Sequence, residues 1–173
     1  MYSVGNVVIY TTYGICKIED LITKEFNGEK RQYYILKPLH DSKSSISIQT
    51  DNPIAISKLR NLLTRDEILD LIHTFPKIEP YWIDNDNERK KEFSQILRNG
   101  TRQEVIALMK SVYEHSKGLK EKGRKLHASD EQCYKDAERI INEEIAYVLE
   151  IDRKLVPEFI TSEIESVYEK WKD

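Results

Sequence analysis

At Thr64 the apolar pattern of this 173-residue chain changes period, and that change limits its fold more than any other feature. Upstream, short runs rich in β-branched residues, "VVIY", "GICKIEDLIT", "KRQYYILKPL" and "SSISIQT", are separated by turn signals. Gly14 sits between the first two runs. Asn27-Gly28, a pair that readily adopts positive φ, precedes the third. Ile46 and Ile48 alternate with Ser45 and Ser47, so one side of that strand is buried and the other wet. Pro53 ends it, because proline cannot donate to a ladder. Four or five short antiparallel strands with tight turns predict a small barrel or curled sheet.

Downstream the spacing is helical. Thr64-x-x-Glu67, Thr101-x-x-Glu104 and Ser129-x-x-Gln132 each have the form of a capping box. Behind them run the stripes Ile68, Leu71, Ile72 and Phe75; Val105, Leu108, Met109 and Val112; and Cys133, Ala137, Ile140, Ile141, Ile145, Val148 and Leu149. A further helix near residues 88–98 carries Phe93, Ile96 and Leu97. Pro157 opens a last one with Ile160, Ile164, Val167 and Trp171 on one side. The expected fold class is therefore α+β: a β-module at residues 1–60, then an all-α bundle at 61–173.

No metal-ligand spacing links His40, His73, His115 and His127 to each other or to a cysteine. No nucleophile elbow, P-loop or dinucleotide fingerprint occurs. Glu143 and Glu144 are helix neighbours about 100° apart and do not converge on one proton. The expectation is a non-enzyme with no cofactor, no metal and no small-molecule substrate. Cys16 and Cys133 stand alone, as in a reducing cytosol. No signal peptide or membrane span is readable, so a cytoplasmic location is expected.

Charge carries more information than its mean. The chain has a net charge of −3, but residues 77–125 hold 12 Lys and Arg against 8 Asp and Glu. Residues 126–173 hold 6 against 13, and the part past Asp152 is an acidic C-terminal extension. Within the basic middle lie Arg89, Lys90 and Lys91, and the run "KGLKEKGRK" with Lys120, Arg124 and Lys125, which falls between the second and third capped helices. Such runs are solvated loops or phosphate-binding faces. Trp82, in "EPYWIDNDNERKKEF", reads in two ways: an indole tucked under its loop as a lid on the bundle, or a wedge for a distorted base step.

The opening "YSVGNVVIYTTYGICKIEDL" resembles the start of the CarD/CdnL family of bacterial transcription regulators. The similarity continues through "NGEKRQYYILK", "KLRNLLTRDEI", Trp82, "ILRNGTRQEVIALMKSVY" and "LHASDEQCYKDAERIINEEIAYVL", about residues 2–150. The N-terminal motif is shared with the polymerase-binding module of the transcription-repair coupling factor. The resemblance implies a Tudor-like β-module docking on the RNA polymerase β subunit through Lys24, Phe26 and Ser47. It also implies a helical domain on promoter DNA at the upstream fork, with Trp82 in the minor groove and Arg89, Lys90, Lys91, Lys120, Arg124 and Lys125 on the backbone. Open-complex stabilisation, with little sequence specificity, is the implied action, and the protein would meet the nucleoid through the polymerase. The alternative is a non-catalytic interaction module without DNA contact. Two departures stand out: Asp84, Asp86 and Glu88 follow Trp82 where the family has basic residues, and Ser47 stands where some members carry arginine.

Overall fold

The computed structural model describes residues 2–10, 13–41 and 43–170, excluding the side chains of Phe26 and of residues 167–170. Val167's side chain and Trp171, placed by spacing on the last helix, lie outside that description. The chain divides into two compact units, residues 1–62 and 63–173.

The first unit is a five-stranded antiparallel sheet of β1 (Val7–Tyr10), β2 (Gly14–Phe26), β3 (Glu29–Pro38), β4 (Ile46–Gln49) and β5 (Leu59–Asn61). The strand order is β4-β3-β2-β1-β5, so consecutive strands pair until the last joins beside β1. The β2–β3 hairpin turns on Asn27 and Gly28 alone, at φ 51° and 81°. Two positive φ values in a two-residue loop match the right-handed twist of the flanking strands. A register shift between Ile18 and Asp20 interrupts the long β2. One side of the sheet packs Val8, Cys16, Ile18, Tyr34, Leu36, Ile48 and Leu59 into a core. The short α1 (Pro53–Ile56), capped by Asn52, bridges β4 to β5, with Pro53 in its first turn.

The second unit is helical: α2 (Arg65–Thr74), α3 (Asp86–Asn99), α4 (Arg102–Glu121), α5 (Ala128–Leu149) and α6 (Val156–Lys170). Both capping boxes at Thr64/Glu67 and Thr101/Glu104 form. The third expected box does not. Helix α5 starts at Ala128 with His127 as an N-cap that makes no side-chain bond, leaving Ser129 inside the first turn. Starting there puts Asp130 in the first turn, where it is buried against Arg89. A cap contributes about 1 kcal/mol, whereas an uncompensated buried charge costs about 3–5. Tertiary pairing therefore outweighs the local signal.

The stripes read from spacing form one core around Ile68, Ile72, Phe93, Leu108, Val112, Ala137, Ile141 and Ile145. Ile160 and Ile164 of α6 pack on it. Glu144, only 3% exposed, accepts from Leu63 N–H at 2.9 Å and from the Arg102 guanidinium at 2.6 and 2.7 Å. Glu143 instead pairs with Arg139 and Arg153, at 3.4 and 3.3 Å. The adjacent glutamates thus face different partners. No described helix is long and apolar enough to cross a membrane.

Candidate functional site

In an antiparallel pair, residues directly opposite share a side of the sheet, and alternate residues along a strand share it too. Lys24 pairs with Arg31, Ile22 with Tyr33, and Asp20 with Ile35. Ile35 pairs onward with Ser47, and Tyr33 with Gln49. Lys24 and Ser47, from strands β2 and β4, therefore lie on one side, opposite buried Tyr34, Leu36 and Ile48. Between them Ile22, Tyr33 and Ile35 are half-buried, and the Lys24 ammonium sits 5.4 Å from the Tyr33 ring centre. The result is an aromatic and aliphatic strip edged by charge, a surface suited to a protein partner. Phe26 pairs with Glu29 next to the hairpin turn, and its side chain is outside the described residues.

In the helical unit the segment before α3 is held against α4. Tyr81 N–H donates to Ser111 Oγ at 2.7 Å, and the Lys110 ammonium donates to the carbonyls of Phe75 and Ile78. Trp82 is consequently half-buried and packs on the bundle core, the burial that a lid on the bundle requires. Its ring stacks on His115 at 3.7 Å with 7° between the planes, and meets Phe93 edge-on at 6.2 Å. Burial, and after it the nearby Arg89 charge, hold the His115 imidazole below its ordinary range.

Arg89 is not a surface cation. It is 3% exposed, and its five N–H donors meet five acceptors. Nε and Nη2 bind Asp130 side-on at 3.1 and 2.9 Å, and Nη2 also reaches Asp86 at 2.8 Å. Nη1 reaches the carbonyls of Ile83 and Asp84 at 2.7 and 3.4 Å. Its central carbon lies 4.3 Å from the Trp82 ring centre, a cation–π contact inside the protein. With every donor spent, Arg89 has none to offer a phosphate. The spacing held the clue, because Arg89, Phe93 and Ile96 share a helical side at i, i+4 and i+7. Lys90 and Lys91 are exposed and in no ion pair among the described residues.

Two of the three acidic residues after Trp82, Asp86 and Glu88, are explained by α3. Asn85 accepts from the N–H groups of Asn87 and Glu88, and Asp86 and Glu88 occupy the first turn, where negative charge complements the helix dipole. The Arg89 hydrogen bond pulls the Asp86 carboxyl below its usual range.

The second basic run is not wholly a loop. Helix α4 continues through Glu121, with Leu119 seven residues beyond buried Val112 and so on the same side. It ends in a Schellman motif, with Gly123 N–H on the Lys120 carbonyl at 3.0 Å and Arg124 N–H on that of Leu119 at 2.8 Å. Gly123 has φ 66°, in the left-handed region that favours glycine. Lys120, Arg124 and Lys125 are exposed and in no ion pair among the described residues. All three line one cleft of about 450 Å³ with Tyr113, Leu126 and Tyr134. No group of three or more His, Cys, Asp or Glu able to hold a metal occurs among the described residues.

Comparison with known proteins places these surfaces in context. Residues 2–60 match the family model of the CarD-like/TRCF RID domain. The chain is also 23% identical over 159 residues to a Bacillus subtilis (strain 168) protein named "Putative transcription factor YdeB". That alignment covers 92% of this chain and 99% of the relative.

Proposed function

From a first unit that matches the CarD-like/TRCF RID domain family model, we infer a transcription regulator that engages RNA polymerase through residues 1–60. In this reading the β subunit is the docking partner, Lys24, Phe26 and Ser47 mark the contact, and residues 61–173 hold promoter DNA at the upstream fork. The family match carries the reading, since it spans nearly all of a unit that is compact by itself. Lys24 and Ser47 on the same side of the sheet support it.

On DNA, Lys90, Lys91, Lys120, Arg124 and Lys125 supply exposed cations for phosphates. Arg89 drops out. Trp82 enters with a ring already fixed by His115 and Arg89, so meeting a base step costs it little further rotamer freedom. No bond is made or broken. The regulator acts by binding the melted promoter better than the closed one, and its differential affinity sets the size of the shift.

A second reading, an interaction module without DNA contact, draws on the inward use of Arg89 and the half-buried indole. Salt-dependent binding to fork-junction DNA in the presence of polymerase separates the two. For the polymerase contact the test is co-purification. The full chain and residues 1–62 should both retain the polymerase β subunit, and Lys24→Glu should lose most of it while melting normally. Retention by residues 63–173 alone would overturn the assignment.

A further inference from the structure

The cleft where α4 ends and α5 begins combines two chemistries. Tyr113, 51% exposed, and half-buried Tyr134 offer aromatic rings beside Leu126. Lys120, Arg124 and Lys125 bring three exposed cations to the same space. We propose that this cleft binds a nucleoside phosphate, its base lying on the tyrosines and its phosphate meeting the three cations.

The volume, about 450 Å³, falls within the roughly 300–1,000 Å³ of small-molecule sites. Aromatic stacking accepts any base through its π-face, and Lys and Arg neutralise the phosphate. An acidic peptide would use the cations but leave the rings unmatched. The Schellman turn at Gly123 brings Arg124 and Lys125 back beside Lys120 after the helix stops. Glu131 also lines the cleft, and Lys135 at 2.7 Å offsets its charge and pulls its carboxyl below the usual range. That carboxylate suits the two adjacent N–H donors on the edge of guanine. The Lys117 ammonium, 4.9 Å from the Tyr113 ring centre, moves aside or adds to the phosphate contacts when a base stacks there.

The site deepens the nucleic-acid reading by sharing its cations, yet it is tested without promoter or polymerase. The full chain is titrated by calorimetry with guanosine monophosphate, inorganic phosphate and a short single-stranded DNA. Guanosine monophosphate should bind saturably at one site, at least tenfold more tightly than inorganic phosphate. Tyr113→Ala and Lys125→Glu should each weaken it roughly tenfold, and Tyr113→Phe should keep it within about threefold. Melting curves confirm that the variants fold. If the oligonucleotide competes with the mononucleotide, the natural source is a DNA strand; if it does not, the source is a free nucleotide. Absence of saturable binding by either, equal affinity for inorganic phosphate, or indifference to both disruptive substitutions overturns the proposal. Duplex binding that persists in those cases leaves the promoter reading standing, so the two failures are separable.

Discussion

Two basic runs that look alike in sequence are put to opposite uses. In the first, Arg89 turns inward and ties α3 to α5, while Lys90 and Lys91 stay in water. In the second, Lys120, Arg124 and Lys125 all stay outside, around a cleft. Helical phase makes the difference. Arg89 shares a side with Phe93 and Ile96, whereas the second run straddles a helix end where the chain reverses. A count of cations says how much charge is present, and only the phase of the backbone says where it goes.

The contrast breaks most sharply on stability. Asp130→Ala leaves the Arg89 charge enclosed without its main acceptor and should cost about 3–5 kcal/mol in urea denaturation. Lys120→Ala or Lys125→Ala should stay within about 0.5 kcal/mol of the parent. Similar losses in the two places would end the distinction between inward and outward runs. Next comes Trp82→Ala, which removes an indole half-buried against Phe93 and His115. Its cost should be about 2 kcal/mol, below the roughly 3–5 of a fully buried aromatic. Loss of open-complex lifetime beyond that of an equally destabilised core variant would show that Trp82 also serves DNA.

The outward run should act on binding alone. Removing Lys120, Arg124 or Lys125 should lower DNA affinity similarly across sequences and flatten the salt dependence by about 0.9 per contact. An unchanged slope in all three variants would return that run to the solvent. The smallest effect concerns His115. Its folded value lies below the ordinary histidine value of 6.5, so the unfolded chain takes up the proton first on acidification. The contribution is complete above about 6.5 and falls away as pH drops from there through the lowered folded value. His115→Phe, which keeps a ring on Trp82, should flatten the stability profile in that window.

Much of the fold was legible because its signals are local. The Asn27-Gly28 turn and the boxes at Thr64 and Thr101 are written within two to four residues, and the core stripes within two helical turns. The start of α5 was not, because Asp130 answers to a partner 41 residues earlier. The same distance hid the role of Arg89, although its helical phase was available to be read, and the half-burial of Trp82 depends on His115 from another helix. Lys24 and Ser47 could be nominated singly, but their shared side depends on the register across β3 and on the shift after Ile18. The cleft was illegible for a similar reason, since Tyr113 and Tyr134 belong to different helices.

The Arg89–Asp130 clasp also bears on how the bundle chooses among its own misfolded packings. Apolar side chains tolerate sliding, because one aliphatic neighbour replaces another at little loss. Two enclosed charges do not. Moving α3 along α5 by one turn, about 5.4 Å, would separate them and strand each without its partner in a dry interior. A wrong register would also strip the Ile83 and Asp84 carbonyls of their donor and free the chain just before α3. One arginine thus works as a proofreading mark, because an alignment that separates the pair carries a penalty of about 3–5 kcal/mol.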